Sequence, residues 1–233
     1  MINLKHNFIF CHNEKTAGTA ISNVLRKLDG NYYIASNCFE FDGAALELMP
    51  LSNDVGNELG HYPNQHTKLG FWSQFIGLSD YFSFGIVRNP KTRMVALFLQ
   101  QLKARGWKGG ELPKDVTLTI DENLSRQTKL PVGKHEFTFD WFCRVFVPTC
   151  GSRQTRQLCD YDNNLFADFV GRFENLEEDW KHICGKLEIP HTKLPRVNVS
   201  PKYDVDSFFD DDLLEFFLEE YKDEYEVFGY EKV

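Results

Sequence analysis

Two segments of the same design constrain this chain most. "NFIFCHNEKTAGTAISNVLRKL" (residues 7–28) and "YFSFGIVRNPKTRMVALFLQQLKAR" (81–105) each pass from an apolar run through a sharp polar turn into helically spaced apolar residues. In the first, residues 7–12 read as a buried strand and 19–29 as a helix with Ala20, Ile21, Val24, Leu25 and Leu28 on one face. In the second, Asn89-Pro90 ends the strand, because the residue before proline is pushed out of helical backbone. Met94, Val95, Leu97, Phe98 and Leu102 then give the next helix its apolar side. A third strand over 169–172 precedes a helix over 176–187. Strand, loop and helix in that recurring order predict an α/β fold: a P-loop-like parallel sheet with helices on both faces. Further helices are predicted over 66–78, 137–148 and 206–227, the last acidic with Leu213, Phe216, Phe217 and Tyr221 inward. Residues 30–65 read as irregular and 106–136 as a loop insertion.

At 233 residues the chain suits one domain, 1–233, with a single core. The 21 phenylalanines point to an aromatic interior. A net charge of −8 argues against a general nucleic-acid binder, which needs concentrated Lys and Arg. The six cysteines include no CxxC pair, so zinc-ligand spacing is missing. Residues 1–10 do not have the charge and apolar length of a signal peptide. No stretch approaches the roughly 20 apolar residues that cross a membrane. The expectation is therefore a cytoplasmic protein with reduced thiols, a Cys150–Cys159 disulfide being the alternative.

The first turn, Lys15-Thr16-Ala17-Gly18-Thr19, has the chemistry of an anion loop. A strand entering a helix through small residues directs main-chain N–H groups and the positive helix end at one point. Lys15 adds a charge, Thr16 and Thr19 add hydroxyls, and Gly18 allows close approach of the backbone. The ATP-type order G-x-x-x-x-G-K-[ST] is not met, because no glycine precedes Lys15 here. That disfavours a magnesium-dependent kinase. Arg88, at the end of the second strand, can hold a phosphate with a planar fork. If the two strands are parallel neighbours, Lys15 and Arg88 face one crevice at their carboxyl ends. An ordinary strand-to-helix turn with a surface lysine is the competing reading of the first loop.

These residues resemble a family. "FIFCHNEKTAGTAI" resembles the 5′-phosphosulfate loop of sulfotransferases that use 3′-phosphoadenosine 5′-phosphosulfate (PAPS), and "FGIVRNPKTRMVALF" resembles their 3′-phosphate motif. "FVGRFENLEEDW" and "LPRVNVSPK" are similar to later segments of the carbohydrate-directed branch, and the four come in the family order over residues 8–202. The resemblance implies that Lys15 contacts the sulfonate-bridging oxygen and that Thr16, Ala17, Gly18, Thr19 and Ala20 line the 5′-phosphate. It implies that Arg88 holds the 3′-phosphate, that Lys202 closes over the nucleotide, and that no metal takes part. Glu14 stands where the family has proline, Ala20 where serine is common, and Ala96 at the serine of the 3′-phosphate motif.

Transfer to a hydroxyl also needs a base, and histidine suits it by pKa. His66 is the first candidate and His61 the second, both upstream of the Arg88 strand where the family places its histidine. His12 reads as supporting the loop. Glu174 with Asn175 either orients the nucleotide loop or caps the helix beginning at Leu176, and Glu174 reads as structural. Arg153 and Arg156 contact an acidic acceptor or sit solvated. The resulting expectation is a PAPS-dependent sulfotransferase acting on a sugar or glycoconjugate hydroxyl. The alternative is a weak or inactive relative that binds a nucleotide or polyanion.

Overall fold

The computed structural model of the protein describes residues 1–3, 5–29, 31–35, 38–40, 69–72, 78–113, 116–150, 153–160, 162–197 and 203–232. In chain order the first elements are β1 (Ile2–Asn3), β2 (Phe8–Cys11), α1 (Gly18–Leu25), β3 (Asn31–Ala35) and β4 (Cys38–Glu40). Next come α2 (Leu69–Trp72), β5 (Phe82–Val87), α3 (Pro90–Ala104), β6 (Thr117–Ile120), α4 (Glu122–Thr128) and β7 (Gly133–Glu136). A helical run follows as α5 (Phe139–Trp141), a π turn (Phe142–Phe146) and α6 (Val147–Cys150). The chain then forms α7 (Thr155–Leu158), β8 (Phe169–Arg172), α8 (Leu176–Lys186), α9 (Asp211–Glu220) and α10 (Lys222–Phe228).

These elements form two compact units, Met1–Arg88 with Gln154–Asn198, and Asn89–Arg153 with Val199–Val233. The first holds a six-stranded sheet of order β4-β3-β1-β2-β5-β8. Strands β2, β5 and β8 are parallel, with Phe8 opposite Phe82, Cys11 opposite Gly85, and Val87 opposite Arg172. The other half is antiparallel, which departs from the all-parallel expectation. The cause is connection length. Four residues join β1 to β2 and two join β3 to β4, too few for the crossover that parallel pairing requires. Phe8, Phe10, Phe84 and Ile86 project from one face and pack with Ile21 and Leu25 of α1 and Trp180, Ile183 and Cys184 of α8. Phe10 and Phe84 stack at 5.2 Å.

The second unit is built on α3. Its Met94, Val95, Phe98, Leu99 and Leu102 pack with Phe137, Phe139, Phe142, Leu213, Phe217, Tyr221 and Tyr225. Phe98 alone meets the rings of Phe137 at 5.5 Å, Phe139 at 5.3 Å and Phe142 at 5.4 Å, an aromatic interior of the kind the composition implied. Within this core Arg93 and Glu224 form an ion pair at 3.4 Å, at 2% and 0% side-chain exposure. Part of the expected loop insertion is ordered as the antiparallel pair β6–β7, with α4 between its strands. The acidic C-terminal helix is two helices, α9 and α10, breaking at Tyr221, and Leu213, Phe217 and Tyr221 do point inward. Cys159 is buried, and the Cys150 side chain of the alternative disulfide lies outside the described residues. Among the described residues no helix is long and apolar enough to cross a membrane.

Candidate functional site

The carboxyl ends of β2 and β5 bring the two loops together. β2 buries all four residues and stops at Cys11. The chain then turns through His12 to Ala17 before α1 begins at Gly18. Lys15 and Ala17 take left-handed backbone, φ 66° and 64°, with Thr16 between them. Alternation of that kind turns successive main-chain N–H groups into a concave nest suited to an anion. For alanine the conformation costs about 1–2 kcal/mol, so the tertiary structure imposes it. The Thr16 hydroxyl donates to the Asn13 carbonyl at 3.0 Å, which curls the loop. The hydroxyl proton is therefore spent within the loop, on the Asn13 carbonyl.

Helix α1 carries no acidic residue in its first turn and no side chain hydrogen-bonded as a cap, so nothing in that turn offsets its positive end. Gly18 is the close-approach point. A Cβ there would lie 1.9 Å from Cδ2 and 2.0 Å from Nε2 of His12. The His12 ring, stacked on Phe10 at 5.8 Å, is thus the floor of the loop, in the supporting role read from sequence. Thr19 is exposed and Ala20 buried. Beneath the loop, burial pushes the Cys11 thiol up to about 12, so this cysteine is a neutral wall and not a nucleophile.

Two buried amide side chains tie the loops to the sheet. Asn13 Nδ2 donates to the Ile86 carbonyl at 2.9 Å and so bridges the end of β2 to the end of β5. Gln154 Oε1 accepts from the Arg88 N–H at 2.8 Å, and its Nε2 donates to the Arg88 carbonyl at 3.0 Å. The half-buried Arg88 side chain lies with its guanidinium 4.3 Å over the Phe173 ring, and Nη1 donates to the Lys15 carbonyl at 3.4 Å. One strand end therefore presents Lys15 and its neighbour Arg88, as expected from the two sequence segments.

The remaining candidates fall elsewhere. His61, His66 and Lys202 lie outside the described residues. Ala96 is buried on α3 in the second unit, where its methyl offers no hydrogen bond. Arg153 is neither solvated nor turned to an acceptor: it pairs with Glu220 and, at 3.0 Å, with Asp223, over the Tyr221 ring. Arg156 is exposed. Asn175 precedes α8 without capping it and instead donates to Asp179 at 3.1 Å. Asn13, Gln154 and Phe173 escaped the sequence reading. Only Phe173, beside the Gly171-Arg172 strand end, had a signal that could have drawn attention to it.

A family profile described as Sulfotransferase family matches residues 1–231, essentially the whole chain. This chain belongs to the sulfotransferase family. Among curated proteins the chain is similar to carbohydrate sulfotransferase 14 of Danio rerio, 23% identical over 204 residues, which are 84% of this chain and 50% of that protein. The chain thus spans about half the length of this curated relative. Among solved structures it is similar to a sulfotransferase from Alicyclobacillus acidocaldarius, with 12% identity, coverage of 97% of this chain and 96% of that one, and a TM-score of 0.43.

Proposed function

We propose that this sulfotransferase-family chain moves a sulfuryl group from PAPS to a hydroxyl of a sugar or glycoconjugate. The observation that carries the reading is the pairing of the Lys15 loop with Arg88 at the ends of adjacent parallel strands. An alternating-φ nest at an uncompensated helix start fits a 5′-phosphosulfate, and a guanidinium one strand away fits a second, separate phosphate. Two anionic groups on one nucleotide are what PAPS offers. The strand–loop–helix order of β2 and α1 is also that of a P-loop, and the proposal extends to that class of fold.

In the proposed reaction the acceptor oxygen attacks sulfur as the bond from sulfur to the bridging phosphate oxygen breaks. His66, with His61 second, takes the acceptor proton. Lys15 neutralises the charge that grows on the departing adenosine 3′,5′-bisphosphate, and the amides of Thr16, Ala17, Gly18, Thr19 and Ala20 hold its 5′-phosphate. Arg88 holds the 3′-phosphate, with Ala96 in the wall of that motif and Lys202 closing over the nucleotide. The residues supply this charge stabilisation without a metal. The acceptor pocket is proposed to lie within one sulfotransferase domain. The buried free thiols of Cys11, Cys143 and Cys184 suit a reducing compartment such as cytoplasm.

A second reading has one observation in its favour. The buried Ala96 methyl removes a hydroxyl contact worth about 1 kcal/mol, in the direction of a weak or inactive nucleotide binder. Incubation with labelled PAPS and a panel of saccharides, in the presence of a chelator, separates the two. Transfer that is lost in Lys15→Ala and in His66→Ala supports the enzyme. Full activity of both variants sinks the mechanism, and bisphosphate binding without any turnover favours the binder.

A further inference from the structure

Gln154 has no place in the roles assigned so far, yet both polar atoms of its side chain are engaged by Arg88. It is fully buried. It stands immediately before α7, where a side chain ordinarily turns back to cap the helix, and it makes no such bond. Instead its amide satisfies both main-chain polar groups of Arg88, one as acceptor at 2.8 Å and one as donor at 3.0 Å. The strand ladder between β5 and β8 ends at Val87 opposite Arg172, so Gln154 acts as a one-residue continuation of the ladder. One turn on, Leu158 anchors α7 against β5 at Gly85, where a Cβ would lie 2.7 Å from Leu158 Cδ2. The amide is thereby held rigidly relative to the strand whose end it clamps.

We propose that Gln154 is a positioning residue that aims Arg88 and so creates the preference for a nucleotide bearing a 3′-phosphate. The proposal rests on the reading of Arg88 as the 3′-phosphate anchor. The physical reason is directional. A guanidinium binds phosphate through two parallel N–H groups in one plane, so the direction in which Arg88 leaves the sheet decides whether both reach. Without the clamp, the two hydrogen bonds from Gln154 to the Arg88 N–H and carbonyl are lost, and the backbone at this partly buried position is no longer held from that side. The Phe173 ring lies under the plane of the guanidinium, and Gln154 holds its root in the main chain.

The test compares binding of adenosine 3′,5′-bisphosphate and adenosine 5′-monophosphate by calorimetry. The proteins are wild type, Gln154→Met, Arg88→Met and the double variant. Methionine keeps the volume of glutamine and removes both hydrogen bonds. The wild type is expected to prefer the bisphosphate, and Gln154→Met to reduce that preference about tenfold while the monophosphate affinity stays within about twofold. In the Arg88→Met background Gln154→Met changes nothing further. Should Gln154→Met melt early, Gln154→Glu carries the test, since its carboxylate still accepts from the N–H but faces the Arg88 carbonyl. Equal weakening of both nucleotides, or a preference that survives both Gln154 variants, overturns the positioning role alone. A wild type that binds neither nucleotide overturns the site reading and this inference with it.

Discussion

Replacement of Gly18 by alanine probes the anion loop with a change of one methyl group. The new Cβ would stand 1.9 and 2.0 Å from two His12 ring atoms and 2.8 Å from a third, so the imidazole has to leave its place. It is an interior ring, 8% exposed and stacked on Phe10, and cannot swing freely into solvent. Overpacking of this kind costs about 1–3 kcal/mol, and loss of the aromatic stack adds about 0.5–1.5 kcal/mol. Alanine returns up to about 1 kcal/mol through helix propensity. The net expectation is a loss of about 2 kcal/mol, or about 4–8 °C in Tm for a chain of this size. In a His12→Ala background the obstruction is gone, and the same substitution becomes neutral or stabilising. Urea unfolding of the wild type, both single variants and the double variant gives the coupling, expected at about 2–3 kcal/mol. A neutral Gly18→Ala, or an equal cost in both backgrounds, refutes the contact on which the loop geometry depends.

Two further outcomes follow from buried ionisable groups. Glu224→Gln leaves Arg93 charged inside the second unit without its carboxylate, and stability falls by about 3–5 kcal/mol. Denaturant titration reads this directly, and a loss below about 1 kcal/mol contradicts it. The Cys11 thiol, pushed by burial to about 12, releases its proton near pH 9 in the unfolded chain but not in the folded one. The native state therefore binds the extra proton, and stability declines as pH rises from 9 towards 12, by up to about 1.4 kcal/mol per pH unit from this group. Burial pushes Cys143, Tyr221 and Tyr225 in the same direction. Unfolding curves from pH 8 to 11 should be flatter for Cys11→Ala than for wild type, and identical slopes contradict the assignment.

What was legible in the sequence was the part dictated by local pattern. β2 and β5 are runs of apolar residues, and Pro90 marks where β5 ends and α3 starts, so both strand–loop–helix segments, with Lys15 and Arg88 at their turns, could be read directly. β3 and β4 could not, because "NYYIA" and "CFE" lie in a stretch of mixed polarity and their pairing depends on β1, itself two residues long. β7 alternates exposed and half-buried residues over four positions, and β6 does so until the buried Ile120, too weak a signal beside the surrounding Gly, Lys and Asp. Long-range polar partners were invisible for a different reason. Gln154 meets Arg88 from 66 positions away, and Arg153 meets Glu220 and Asp223 from 67 and 70. Nothing local distinguishes either side chain from a solvated surface residue. The same ignorance made Arg153 a candidate for acceptor binding when its partners are acidic residues of the chain itself.

The central claim is that the Lys15 loop and Arg88 together make a two-anion nucleotide site. The most direct measurement is calorimetric titration of adenosine 3′,5′-bisphosphate into wild type, Lys15→Ala and Arg88→Met, with the fold of each checked by circular dichroism. One site per chain is expected in the wild type, with at least about a tenfold loss of affinity in each variant. Absence of binding to the wild type, or affinity unchanged by both substitutions, contradicts it.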